Sequence, residues 1–115
     1  MLRAKIHRAR VTAKSLDCAG SITIDSSLLE LADIREFEKV LVANLSNGLR
    51  AETYAISGRR DSGEICLNGA AARLGETGDR VIIMAFAFAD ERELKCDWRP
   101  RIVRVDDNNR PVENP

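Results

Sequence analysis

A chain of 115 residues is long enough for one domain with one core, and short for an enzyme that must enclose a substrate by itself. Eighteen basic and eighteen acidic residues cancel, which excludes the global field that would favour nucleic acid or an anionic membrane. No apolar run approaches the ~20 residues that cross a bilayer, and residues 1–5 lead into alternating charge rather than a signal-peptide core, so a soluble, cytoplasmic protein is expected.

In chain order, Leu2, Ala4 and Ile6 alternate with Arg3, Lys5 and His7 at the period of a half-buried strand. The apolar phase then moves to Ala9 and Val11, a change of parity that predicts a bulge. Lys5 and His7 share the face opposite the apolar residues, with Cα atoms roughly 7 Å apart. Residues 21–24 favour a strand, and residues 25–30 read as the start of a short helix with Ser27 and Glu30 at capping-box spacing, ending near Asp33 and Ile34. A strand over 39–44 reaches Asn47-Gly48, a two-residue hairpin signal, and 49–56 returns antiparallel to it.

After a loop at 59–63 come a short strand at 65–67 and one or two helical turns over 70–74, stopped by Gly75. The most apolar strand, 80–88, is predicted to be central, and 101–105 to be an edge. Residues 107–115 have little to bury and read as a flexible tail on a single domain spanning 1–115. Many short strands joined by Gly and Asn turns, with two minor helices, predict a mainly β fold that closes as a small barrel.

Three cysteines, Cys18, Cys66 and Cys96, are an odd number without CxxC spacing, which argues against a disulfide framework and a zinc site. No metal is expected, and no phosphate cradle of the P-loop or Rossmann kind offers a place for pyridoxal phosphate.

The chemistry-bearing candidates begin at Gly20-Ser21, which lies between two strand-like runs. Read plainly, the pair is a turn entering a strand. It also permits self-cleavage, because glycine does not shield its own carbonyl and tolerates backbone angles that other residues avoid. Attack by the Ser21 hydroxyl would move the acyl group from nitrogen to oxygen. Elimination from that ester, then hydrolysis of the dehydroalanine, would leave a pyruvoyl group, a ketone that serves as an electron sink.

Arg50 carries the planar fork that matches a carboxylate, unless it is a solvated strand arginine. Tyr54, the single tyrosine, can deliver a proton or sit half-buried at an interface. Thr53 faces the other way in a regular strand, so both residues serve one site only at a bulge or a subunit junction. Asn68 followed by Gly69-Ala70-Ala71-Ala72 reads as a polar anchor before small residues whose N–H groups suit an anion or oxyanion, or as a short helix entered through glycine. His7 is the single histidine.

Through Lys5-Ile6-His7-Arg8-Ala9, Gly20-Ser21-Ile22-Thr23-Ile24-Asp25, Asn47-Gly48 with Arg50, Thr53 and Tyr54, Asn68-Gly69-Ala70-Ala71-Ala72, and Gly78-Asp79-Arg80-Val81-Ile82-Ile83, the chain resembles the pyruvoyl-dependent aspartate decarboxylase family. The blocks run in order from about residue 2 to residue 105. The resemblance implies a six-stranded double-psi β-barrel with short helices, assembled as a homotetramer with active sites where subunits meet. It implies self-cleavage into chains 1–20 and 21–115, with Ser21 becoming the covalent pyruvoyl cofactor that forms a Schiff base with L-aspartate. The products would be β-alanine, for pantothenate synthesis, and CO₂.

By the same resemblance Tyr54 is the proton donor, and Arg50 and Lys5 hold substrate carboxylates. Asn68, Gly69, Ala70 and Ala71 complete the substrate site. Thr53 hydrogen-bonds the oxygen of Gly20 during processing, and His7 positions groups or relays a proton there. Two departures stand out: Cys18 replaces the tyrosine usual two residues before the scissile glycine, and Asp61 replaces a small loop residue. Other readings are a noncatalytic barrel for oligomerisation or ligand binding, and a hydrolase using Ser21 or Cys18 as an uncleaved nucleophile.

Overall fold

The computed structural model describes residues 1–16, 20–95 and 97–112. Nine strands are formed among the described residues: β1 (Leu2–Arg10), β2 (Ala13–Ser15), β3 (Ser21–Asp25), β4 (Lys39–Asn44), β5 (Arg50–Gly58), β6 (Ile65–Asn68), β7 (Arg80–Phe86), β8 (Arg101–Val105) and β9 (Pro111–Val112). They pair in the order β2-β6-β3-β5-β4-β7-β1-β8-β9, so six contiguous strands from β6 to β1 make the body and the remaining three flank it. Just past β1, the Thr12 N–H donates to the Ile65 carbonyl at 2.8 Å and Thr12 Oγ1 accepts from the Ile65 N–H at 3.0 Å. The segment leaving β1 is thereby tied to β6, at the other end of the body. Ile6, Ile22, Ile24, Val42, Ile65, Leu67, Val81 and Ile83 fill the core from alternate strand positions. The molecule is mainly β, compact and consistent with a small barrel.

The parity change in β1 is a bulge: the register against β7 shifts between Ile6 and Ala9, and Arg8 takes φ 65°. The central placement expected for β7 also holds, since it lies between β4 and β1.

Three local expectations are corrected. The α-helix α1 (Ser26–Ala32) is capped by Asp25 rather than Ser27: the Asp25 carboxylate accepts from the Ser27 N–H at 2.8 Å, and so reaches the first unpaired donors of the helix. The β4–β5 hairpin closes through residues 45–49, with Asn47-Gly48 inside a longer loop. Asn44 organises that loop, its Oδ1 accepting from the Ser46 N–H and its carbonyl from the Gly48 N–H, with Gly48 at φ 78°.

The stretch read as a flexible tail begins with residues that are tied down. Asn109 is 1% exposed, accepts from the Arg10 N–H and donates to the carbonyls of Arg10 and Gly63, and Pro111–Val112 pair with β8. A buried polar side chain that satisfies three backbone groups fixes a segment that has few apolar residues of its own. Residues 113–115 lie outside the described residues.

Candidate active site

Ser21 opens β3 and is 3% exposed. β3 runs antiparallel to β6 with Ser21 opposite Asn68 and Thr23 opposite Cys66. Alternate residues share a sheet face, so these four side chains form one polar square. Asn68 Nδ2 donates to Ser21 Oγ at 2.9 Å and to Thr23 Oγ1 at 2.8 Å, and the Cys66 thiol lies 3.2 Å from Asn68 Oδ1. Gly69, at φ 57°, turns the chain from β6 into a 3-10 helix (Gly69–Leu74). A Cβ on Gly20 would stand 3.8 Å from the Ala70 nitrogen and 4.0 Å from the Asn68 carbonyl oxygen. Gly20 therefore sits over the entry to that helix, and packing within one chain is not what requires glycine there. Ala70 is exposed, while Ala71 faces the core.

On its other side β3 runs parallel to β5, with Ile22 beside Ala55. One step back along both strands are Ser21 and Tyr54, and a further step back are Gly20 and Thr53. Tyr54 and Thr53 are both half-buried, and their pairs with Lys39 and Val40 are regular. The bulge that would turn both onto one face is not formed here, so within one chain they point to opposite faces.

A family model described as aspartate decarboxylase matches residues 1–112. The chain belongs to the aspartate decarboxylase family. It is 54% identical to the aspartate 1-decarboxylase of Thermoanaerobacter pseudethanolicus, over 97% of this chain and 95% of that protein. It is 57% identical to the one from Caldicellulosiruptor saccharolyticus, over 98% of this chain and 88% of the relative, and 51% identical to that of Leptospira biflexa, over 95% and 92%.

Other residues that the family resemblance nominates lie elsewhere. Arg50 begins β5, exposed, on the Tyr54 side of the strand but roughly 13 Å along it. Lys5 and His7 are on β1, four strands from β3 in the pairing order. His7 lies beside Arg104 of β8, and its Nδ1 is buried without a hydrogen-bond partner among the described residues. Burial, then the positive charges of Lys5, Arg104 and Arg8, lower the imidazole pKa, so His7 is neutral at neutral pH. One chain thus gathers Gly20, Ser21, Asn68 and Ala70, flanks them with Thr53 and Tyr54, and does not carry Arg50, Lys5 or His7 to Ser21 by strand pairing. Cys18 and Cys96 lie outside the described residues, and no group of three His, Cys, Asp or Glu among the described residues could hold a metal ion.

Sequence reasoning missed two members of the square, Thr23 and Cys66. Each is two residues from a nominated residue on a strand, and the period of two was the available signal. It also missed Asp25, at the far end of β3. That carboxylate is 1% exposed and accepts from the N–H groups of Ser27, Asp61 and Gly63 and from the Ser27 hydroxyl. Burial alone would raise its pKa, but the Gly63 N–H and the other donors outweigh that and hold the carboxyl below the usual range. The departure at Asp61 is part of this anchor, with its backbone at φ 60° and its N–H on Asp25.

Proposed function

We propose that the chain cleaves itself between Gly20 and Ser21 and then decarboxylates L-aspartate to β-alanine and CO₂, in the cytoplasm, as a step toward pantothenate. The reading rests on family membership and on one observation above all, a buried serine hydroxyl beside a glycine and hydrogen-bonded by an asparagine amide. A hydroxyl turned nucleophile loses its proton, and a donor already aimed at its oxygen favours the charged form. In this reading Thr53 and the Ala70 N–H side of the 3-10 entry attend the Gly20 oxygen, and His7 acts neutral, as a positioning or proton-relaying group.

The residues present fit a pyruvoyl group derived from Ser21. The position is enclosed, lies at a strand end, and has small neighbours in Gly20, Gly69 and Ala70. Once formed, that group supplies the sink for the electron pair left when CO₂ departs. The chain does the rest: Arg50 holds a substrate carboxylate with Lys5 as the second cationic contact, Tyr54 returns a proton to Cα, and Asn68, Gly69, Ala70 and Ala71 border the substrate.

A homotetramer of cleaved chains, with sites at subunit junctions, would unite residues that one chain keeps apart. The unpaired His7 Nδ1 supports it, and so does a groove of about 440 Å³ bordered by Val40, Leu41, Phe86 and Phe88, where Phe86 and Phe88 are exposed. The proposed site involves neither nucleic acid nor membrane, and no helix among the described residues is long and apolar enough to cross a bilayer.

Intact-mass measurement is the test. Two fragments, 1–20 and 21–115, are expected, the larger with a pyruvoyl in place of its first serine, and Ser21→Ala should lose cleavage and CO₂ release together. Turnover by a chain that keeps an unmodified serine would overturn the reading.

A further inference from the structure

We infer that Thr23 and Cys66 are positioning residues that hold the Asn68 amide with its N–H toward Ser21 Oγ. The inference builds on the self-cleavage proposed above and assigns a task to two side chains outside the expected site.

An asparagine amide has a donor end and an acceptor end of nearly the same shape, so its neighbours decide which end faces the reacting group. Ser21 and Thr23 cannot decide it, because a hydroxyl both donates and accepts. A thiol can, since its S–H offers a hydrogen to an amide oxygen while its sulfur is a poor acceptor for an N–H. In the observed arrangement Cys66 lies 3.2 Å from Oδ1, and both Nδ2 hydrogens are used, one on Ser21 Oγ and one on Thr23 Oγ1. Turned over, the amide would aim N–H groups at sulfur and make Ser21 the donor. That would remove the hydrogen bond that favours a deprotonating Oγ. The strand register Ser21–Asn68 and Thr23–Cys66 locks the four side chains onto one face, so the amide has little freedom beyond this choice.

The experiment follows the rate at which newly synthesised full chains convert to the 21–115 fragment, with melting temperature and kcat per matured site measured alongside. Cys66→Ala is expected to cleave about five- to tenfold more slowly, the worth of one net hydrogen bond. Cys66→Ser, whose hydroxyl accepts from a turned-over amide as readily as it donates to the observed one, should also cleave more slowly than wild type. Thr23→Val, which removes the acceptor of the second Nδ2 hydrogen, should be slower than Thr23→Ser, and this pair tests the hold on the amide if Cys66→Ala loses its fold. Because the Ser21 hydroxyl no longer exists after maturation, kcat per matured site should move less than the cleavage rate, whereas a purely structural role would move both. Wild-type-like cleavage by a folded Cys66→Ala, or by Cys66→Ser, would overturn the inference. A wild-type chain that never cleaves would instead overturn the proposed function.

Discussion

Ser21 and Asn68 meet across adjacent strands, whereas Arg50 is exposed at the far end of β5 and Lys5 and His7 lie four strands away on β1. The first group is assembled by pairing between β3 and β6, and it is buried, mutually hydrogen-bonded and complete within one chain. The second group, an exposed arginine on β5 and a half-buried lysine and histidine on β1, is not brought to Ser21 by strand pairing. The contrast separates the two tasks that the proposed function joins. Making an electrophile from the chain needs reactants placed by local register, while gripping a doubly charged substrate needs cations from surfaces that a small chain leaves open. A 115-residue chain whose interior is filled by its own core offers a substrate its surface, so the second task falls at its edges.

Arg50→Ala should break that comparison most visibly. With its role confined to the substrate carboxylate, kcat/KM for aspartate should fall roughly 100-fold or more, largely through KM, while cleavage between Gly20 and Ser21 proceeds at the wild-type rate. Loss of cleavage in this variant, read by intact mass, would show that the two groups are one machine.

Asp25→Ala should have the next largest effect, on stability. It removes the acceptor for three backbone N–H groups, one buried and two part-buried, and should cost about 2–4 kcal/mol. The carboxyl titrates below its ordinary value in the folded chain, so its contribution is present above about pH 4 and is lost as the pH falls further. Melting temperatures of wild type and variant should therefore converge toward acid. A constant gap between pH 7 and pH 3 would show that Asp25 acts by packing alone.

The frame was legible in the residues because period-two alternation and parity are properties of the chain itself. Leu2, Ala4 and Ile6 against Ala9 and Val11 announced both β1 and its bulge, and the runs at 39–44 and 65–67 became β4 and most of β6. What escaped depends on partners distant in sequence. Asn109 is buried because Arg10 and Gly63 present backbone groups to it, and Asp25 outcompetes Ser27 as the cap because the 61–63 turn folds back over it. At the site, motif spacing brought out Ser21, Asn68 and Tyr54, but the Thr23–Cys66 pair becomes visible only with the β3–β6 register. That Thr53 and Tyr54 face opposite ways in a regular strand was legible, but that the strand carries no bulge there shows only in its pairing with β4.

The smallest expected effect is also the one that looks most directly at the β1 group. His7 is lowered in the single chain by burial and by Lys5, Arg104 and Arg8, so between its folded value and about 6.5 the unfolded chain binds more protons than the folded one. Stability should then rise with pH across that window and fall as the medium is acidified through it, and His7→Gln should flatten the slope. Melting temperatures at pH 5.5 and 7.5 measure it. Assembly sharpens the outcome, because the buried Nδ1 has no partner within the described chain. A slope of the opposite sign in wild type, absent in His7→Gln, would mean that the folded assembly raises the imidazole pKa. Three cations cannot do that, and a carboxylate brought by a neighbouring subunit can. A slope as large in His7→Gln as in wild type would remove His7 from the titration altogether and leave β1 with Lys5 as its one contribution to the site.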